Sequence, residues 1–279
     1  MYYSPLRYPG GKRKIAEKIG NMVKVAESDM FAEPFAGGAA VALELLEKGI
    51  VGRIVLNDKD PAIFSFWQSA IYNSDRFIET IMTTPLTIDE WHRQREIVMT
   101  EAEPSFDLGF AAFYLNRTNR SGIIKGGIIG GLDQAGKYKM DVRFNRVNLA
   151  KRIGAIARRK DQISIYGMDA RELIDKLPAK CFIFSDPPYI MKSERLYMNT
   201  LTDIDHRDIR DHICASKCDW IVTYDNVPII EELYKDYPQI KFGLSYSAGT
   251  KRKEKEIMIL KDEKYLEKSN GGFCQCATH

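Results

Sequence analysis

The tetrapeptide Asp186-Pro187-Pro188-Tyr189 brings together the residue types best suited to chemistry on a planar amine. It follows the apolar run Cys181 to Ser185, so a strand delivers it to one end of the fold. Two prolines stiffen the backbone and remove two amide donors, leaving nearby carbonyl oxygens as acceptors. A carboxylate beside a free carbonyl matches an amino group that donates two hydrogens. Holding such an amine by both hydrogens aims its nitrogen lone pair at an electrophile, which is catalysis by orientation and electrostatics. Tyr189 adds an aromatic face for a base taken out of a stack. The same four residues in isolation also describe a rigid turn with a surface aspartate, so the surroundings decide.

Two further features lie upstream, at positions where a doubly wound sheet holds nucleotide-like ligands. Glu33-Pro34-Phe35-Ala36-Gly37-Gly38 joins a strand to a helix, and its glycines permit a tight turn with no side chain in a ligand's way. It lacks the G-x-G-x-x-G spacing of a dinucleotide site. Asp58 ends the next strand, 20 residues after Gly38. A carboxylate there can accept from both ribose hydroxyls, or it can cap the following helix.

These residues need an alternating scaffold, and the hydrophobic pattern supplies one. Helical spacing runs through Ile15, Ile19, Met22, Val23 and Ala26, and a short strand covers 30–32. A helix spans 39–48, a strand 53–56 and a helix 61–72. The rhythm then breaks. Residues 76–109 are acidic and helix-like, 110–120 form an apolar-to-basic helix, 121–136 hold six glycines, and 147–159 form a basic helix. It resumes with strand 163–166, helix 170–177, strand 181–185, helix 204–216, strand 220–224 and a helix near 228–236. Two closing strands, 239–246 and 255–261, form a hairpin before a loose tail, 269–279. The pattern specifies an α/β doubly wound parallel sheet with an antiparallel closing hairpin and a mostly helical insertion.

Composition narrows the partners. The 279 residues carry a net charge of +3, but twelve Lys/Arg and two acids between Phe110 and Lys160 make that segment +10 and the remainder −7. One basic segment on an otherwise acidic chain suits a polyanion. No apolar run approaches a membrane span and no signal-peptide pattern opens the chain, so a cytoplasmic protein without membrane association is expected. The five cysteines form no disulfide framework, and His206, His212, Cys214 and Cys218 lack the paired spacing of a zinc site, so no metal is expected.

Taken in order, Tyr8-Pro9-Gly10-Gly11-Lys12, Glu33 to Gly38, Asp58, a variable region with Tyr114-Leu115-Asn116-Arg117 and Phe144-Asn145-Arg146, and then Asp186 to Tyr189 resemble the Dam-type DNA adenine methyltransferases. The resemblance covers nearly the whole chain. It implies a class I methyltransferase fold, with residues 1–75 and 163–279 as the S-adenosylmethionine-binding catalytic domain and 76–162 as the inserted target-recognition domain. It implies Tyr8, Lys12, Glu33, Phe35, Gly37, Gly38, Asp58, Asp169 and Asp186 around S-adenosylmethionine, and Asp186, Pro187 and Tyr189 as the catalytic set. The amine of a flipped adenine would then donate to the Asp186 carboxylate and the Pro187 carbonyl. Double-stranded DNA is the implied partner, met by Asn116, Arg117, Arg120, Lys125, Lys137 and Lys139; a monomer is expected, with a cognate restriction endonuclease as a further partner. Dam itself carries an aromatic residue after its Asn-Arg pair, where Thr118-Asn119-Arg120-Ser121 has none, and an arginine where Lys125 stands. Recognition of GATC therefore does not follow.

Two rival functions fit parts of the pattern. Methylation of the cytosine amine presents the same donor geometry. A nucleotide- and DNA-binding regulator without catalysis would have no need of Asp186 to Tyr189. A nicotinamide dehydrogenase lacks both the glycine spacing and an evident hydride-site histidine.

Overall fold

Short apolar strands alternate with amphipathic helices along most of the chain. The computed structural model describes residues 3–8, 11–190, 201–246 and 252–266; the expected tail, 269–279, and Pro9 and Gly10 lie outside them. Among the described residues the strands are β1 (Met30–Glu33), β2 (Arg53–Asn57), β3 (Ile163–Tyr166), β4 (Cys181–Ser185), β5 (Asp219–Asp225), β6 (Gln239–Tyr246) and β7 (Arg252–Leu260). The α-helices are α1 (Ala16–Val25), α2 (Ala40–Glu47), α3 (Pro61–Tyr72), α4 (Ser74–Thr83), α5 (Ile88–Thr100), α6 (Phe106–Thr118), α7 (Arg146–Ala157), α8 (Ala170–Lys176), α9 (Asp203–Ala215) and α10 (Pro228–Leu233). Two compact units emerge: Met1–Gly11 with Asp58–Gly167, and Lys12–Asn57 with Met168–His279.

In the second unit six strands lie in the order β2-β1-β4-β5-β7-β6. β1 pairs in parallel with β2 and with β4, β4 pairs in parallel with β5, and β7 runs antiparallel to both β5 and β6. Every residue of β4 is buried, as expected of a parallel strand covered on both faces. On one face Phe31 stacks on Phe182 and Phe184, with ring centroids 6.2 and 6.3 Å apart. On the other, Ile183, Trp220, Val222, Tyr224 and Ile257 pack with Ile209 and Ile213 of α9 and Leu173 and Ile174 of α8. This is the wound parallel sheet with an antiparallel closing hairpin expected of a class I methyltransferase. From β1 the sheet extends through β2 on one side and β4 on the other, so the topological switch point, where open sheets of this kind bind ligands, lies at the carboxyl ends of β1 and β4. Glu33 and Ser185 end those two strands.

The first unit contains all of residues 76–162 together with α3 and β3. Its core is built on α6, whose residues 108–118 are all buried. Phe113 stacks on Phe66 at 5.9 Å and meets Phe77 edge-on at 5.3 Å. Gly109 sets how closely α6 lies against α3, because a Cβ there would stand 2.4 Å from the Ser65 carbonyl oxygen. The pattern at 110–120 places this helix too late. It begins at Phe106 because the Ser105 hydroxyl caps it, accepting from the Leu108 amide at 3.0 Å. Thr87 caps α5 and Asn145 caps α7 in the same way.

Candidate active site

The end of β4 carries Asp186 out of the core, and two neighbours fix its carboxylate. Thr223 Oγ1, on β5, donates to Oδ1 at 2.7 Å, and Lys12 Nζ donates to Oδ2 at 3.0 Å. The Asp186 side chain remains 22% exposed. A carboxylate has about four acceptor positions, so these two bonds leave room for an incoming donor. Pro187 is buried and the Tyr189 ring is 3% exposed. Lys12 Nζ also donates to the Tyr189 hydroxyl. It lies 4.8 Å from the ring centroid and reaches Tyr189 through the hydroxyl, so the contact is a hydrogen bond at the ring's edge. Beyond them stands Glu256 of β7, fully buried, with Oε2 3.6 Å from the same ammonium. In the β5–β7 register Glu256 lies opposite Asp225.

Thr223 and Glu256 were not legible as site residues, since Thr223 reads as one polar position in an apolar strand and Glu256 as the end of the charged run 252–256. The alternation around them was the available signal: side chains two apart share a face, which groups Thr223 with Asp225 and sets both beside Glu256.

At the end of β1, Glu33 is 4% exposed and its Oε1 accepts from the Ala42 amide at 2.8 Å. The N-cap of α2 is Ala39, which has no side-chain oxygen and a left-handed backbone with φ of 45°. Glu33 therefore caps the helix from the preceding strand. Burial raises its pKa to about 8, and the nearby Asp186 charge pushes the same way. Gly37 turns the loop with φ of 44°, and Phe35 packs on the apolar core beneath it. Gly38 is buried in the same turn.

Asn57, the last residue of β2, ties this loop down. Its Nδ2 donates to the carbonyls of Pro34 at 2.9 Å and Met168 at 3.0 Å, while its Oδ1 accepts from the Met168 amide at 3.1 Å. One side chain thus joins the loop of Gly37 and Gly38 to the segment that opens with Asp169. Asp169 caps α8 and forms a two-pronged pair with Arg171, both contacts at 2.8 Å. Arg171 also reaches Asp205 and Asp208 at 3.3 Å each. Asp58 follows Asn57 directly and accepts from the Asp60 amide at 3.0 Å. Asp60, not Asp58, caps α3. In the other unit, the Tyr8 carbonyl accepts from the Gly11 amide at 3.1 Å.

The residues expected on DNA divide into two groups. Asn116 and Arg117 are corrected by their burial, at 0% and 8% exposure. The Asn116 amide accepts from the Arg7 amide and donates to the Arg7 and Gly122 carbonyls, and the Arg117 guanidinium donates to the Arg143 and Pro5 carbonyls. The last turn of α6 is buried all round, so both are drawn into holding main chain. By contrast Arg120, Lys125, Lys137 and Lys139 are exposed. Their loop is held from within. Asn119 accepts from the Trp91 indole at 2.7 Å and donates to the Ile123 and Ile124 carbonyls. Gln134 donates to the Ile129 and Gly131 carbonyls and accepts from the Met140 amide. Lys139 donates to the Gln134 carbonyl.

The histidines considered for zinc have other partners: His206 meets the Tyr224 hydroxyl at 3.0 Å, and His212 meets Asp175 at 2.8 Å. Among the described residues no helix is long and apolar enough to cross a membrane.

The chain as a whole is similar to known proteins. Residues 8–248 match the family described as D12 class N6 adenine-specific DNA methyltransferase. The Type II methyltransferase M.MjaIII of Methanocaldococcus jannaschii is 22% identical over 219 residues, which is 73% of this chain and 74% of that protein. A precorrin-6y C5,15-methyltransferase from Geobacter metallireducens GS-15, solved as a crystal structure, aligns with a TM-score of 0.40 and 12% identity over 89% of this chain and 88% of its own.

Proposed function

Because this chain belongs to the D12 class N6 adenine-specific DNA methyltransferases, we propose that Asp186, Pro187 and Tyr189 hold the target adenine while its amine is methylated. Family membership makes the substrate adenine in DNA and sets aside the cytosine and regulator readings. The observation that carries the assignment is the position of Asp186 at the carboxyl end of β4, with its carboxylate aimed by Thr223 and followed by two residues without amide donors.

The reading of each residue follows from its chemistry. The adenine leaves the duplex, and its amine donates one hydrogen to the Asp186 carboxylate and the other to the Pro187 carbonyl. The nitrogen lone pair then points away from both acceptors, toward the methyl group. Tyr189, anchored at its hydroxyl, is the stacking surface. Its ring is covered in this state and must be uncovered for a base to enter.

The residues present fit S-adenosylmethionine, which when bound supplies a methyl group made electrophilic by a sulfonium. The Gly37–Gly38 turn offers main chain without side chains, and the carboxylates of Asp58 and Asp169 suit ribose hydroxyls and a purine amine. An acidic surround at Asp186 and Glu256 suits a cationic donor. Tyr8, Lys12, Glu33 and Phe35 complete the assigned set, Lys12 and Glu33 acting through Asp186 and α2. Residues 76–162 serve as the target-recognition domain, with Arg120, Lys125, Lys137 and Lys139 on the DNA. The likeness to a Type II methyltransferase supports a cognate restriction endonuclease as partner. The proposal extends to a monomer working in the cytoplasm.

Asp186→Ala tests the assignment. Methyl transfer should fall by about 10²–10³-fold, the size of losing one polar stabiliser of a transition state, while calorimetry shows S-adenosylmethionine still bound. Transfer at the wild-type rate overturns it.

A further inference from the structure

Lys12 takes up one acceptor position on the carboxylate proposed to receive the target amine, and the structure gives it a second carboxylate. Its Nζ is 3.0 Å from Asp186 Oδ2 and 3.6 Å from Glu256 Oε2. Lys12 is 3% exposed and Glu256 is 0% exposed. Charges this deep persist when mutual attraction offsets the loss of water, so a buried carboxylate beside a buried ammonium needs a reason. A purely structural pair would be satisfied by Asp186 and Lys12 alone.

The reaction supplies the reason. As the amine lone pair forms the new N–C bond, the C–S bond breaks with its electron pair staying on sulfur. The nitrogen carries positive charge until it sheds a proton to water. An ammonium fixed on Asp186 Oδ2 opposes that charge and takes up one of the acceptor positions. Asp186 and Glu256 set two carboxyl groups around one ammonium; without Glu256 there is one carboxyl group for one ammonium.

We propose that Glu256 is a positioning residue that draws the Lys12 ammonium off Asp186 when the target amine docks, so that the aspartate meets its substrate as an uncompensated anion. The displacement is small: closing the gap to Glu256 to an ordinary ion-pair length takes about 1 Å. The β5–β7 pairing makes this possible. It sets Glu256 opposite Asp225, and Thr223, two residues before Asp225, holds Asp186 Oδ1 in place while Lys12 moves. The inference rests on the assignment of Asp186 as amine acceptor.

The test is single-turnover methylation of unmethylated random-sequence duplex DNA by the full-length protein with labelled S-adenosylmethionine. Glu256→Gln keeps the shape and removes the charge. It should slow the chemical step by about 100-fold and leave KM for DNA within about twofold, as expected for an interaction that matters only in the transition state. Glu256→Asp should recover most of the rate. The double variant Lys12→Met/Glu256→Gln removes the competing ammonium along with its holder, so it should be at least about fivefold faster than Glu256→Gln, a coupling within the usual range for contacting residues. Wild-type rate in Glu256→Gln, or a double variant no faster than the single one, overturns the inference. Asp186→Ala, run alongside, keeps the two readings apart. If it is inactive while Glu256→Gln is fully active, only the role of Glu256 falls; if it is active, the acceptor assignment falls as well.

Discussion

Replacing Asn57 by alanine should loosen two loops at once, although Asn57 itself is 1% exposed and has no role in the chemistry. Its amide makes bonds of 2.9, 3.0 and 3.1 Å to Pro34 and Met168. Each such bond contributes about 0.5–1.5 kcal/mol net, and a buried partner left unsatisfied costs about 1–3 kcal/mol. Water entering the vacated space recovers part of that, so the local loss should total about 2–4 kcal/mol. Hydrogen exchange measures it directly, because the Met168 amide donates to Asn57 Oδ1. At 1.4 kcal/mol per tenfold, that amide should exchange roughly 30- to 700-fold faster in Asn57→Ala. Asn57→Asp should be at least as severe, since an oxygen would face two carbonyl oxygens. Calorimetry should show weaker S-adenosylmethionine binding in both, because the glycine turn and the segment at Asp169 lose their common tie. An exchange rate within about threefold of wild type would refute the reasoning.

Three further outcomes follow from the same geometry. Burial raises Glu33 from 4.5 to about 8, so over that pH range the fold holds a proton the unfolded chain has released, and stability falls as pH rises. Glu33→Gln still accepts from Ala42 and should flatten that fall; equal slopes in urea titrations of the two proteins would contradict the assignment. Asp58→Ala should weaken S-adenosylmethionine binding by about 1.5–3 kcal/mol for each charge-assisted bond lost, and because Asp60 caps α3, helix stability should hold; unchanged affinity by calorimetry would remove Asp58 from the cofactor site. Neutralising the exposed pair Arg158 and Lys160 should weaken binding to all DNA sequences and flatten the salt dependence by roughly one unit of slope per lost phosphate contact, whereas Arg120→Ala should change the methylated consensus at particular base pairs by about 1–3 kcal/mol; an unchanged consensus across a random library would make Arg120 a phosphate contact too.

Element positions were legible because the pleated and helical periods are written locally. The ends of β4, β5 and β6 fall within a residue of where the apolar runs place them. The Asp186 motif was legible for the same reason, being contiguous. What surrounds it was not. Lys12 and Asp186 are 174 positions apart, and only the order of strands brings them together. Glu256 required knowing that β7 inserts beside β5 in a register that opposes Asp225. Asn116 and Arg117 misled because polar residues at the edge of a basic segment resemble a nucleic-acid surface. Sequence does not show that α6 is enclosed on every side, and enclosure turns their donors inward.

That inward turn points to how labour is divided in the two units. Amide side chains do the holding: Asn57 for the glycine turn, and Asn116, Asn119 and Gln134 for the main chain that carries Arg120, Lys125, Lys137 and Lys139. An amide offers a donor and an acceptor without charge, so it can tie main chain in the interior at little desolvation cost. In the proposed DNA contact, cations fixed by such ties are placed beforehand, and less ordering entropy is lost on binding. At the proposed chemical centre the opposite choice prevails, with the titratable groups of Asp186, Lys12 and Glu256 gathered together. Arg120, Lys125 and Lys137, proposed to meet DNA, can therefore be exchanged without disturbing the amide ties, whereas Lys139 is itself tied to the Gln134 carbonyl. A comparable exchange at Lys12 or Glu256 would change the charge balance at Asp186 and hence the rate of methyl transfer.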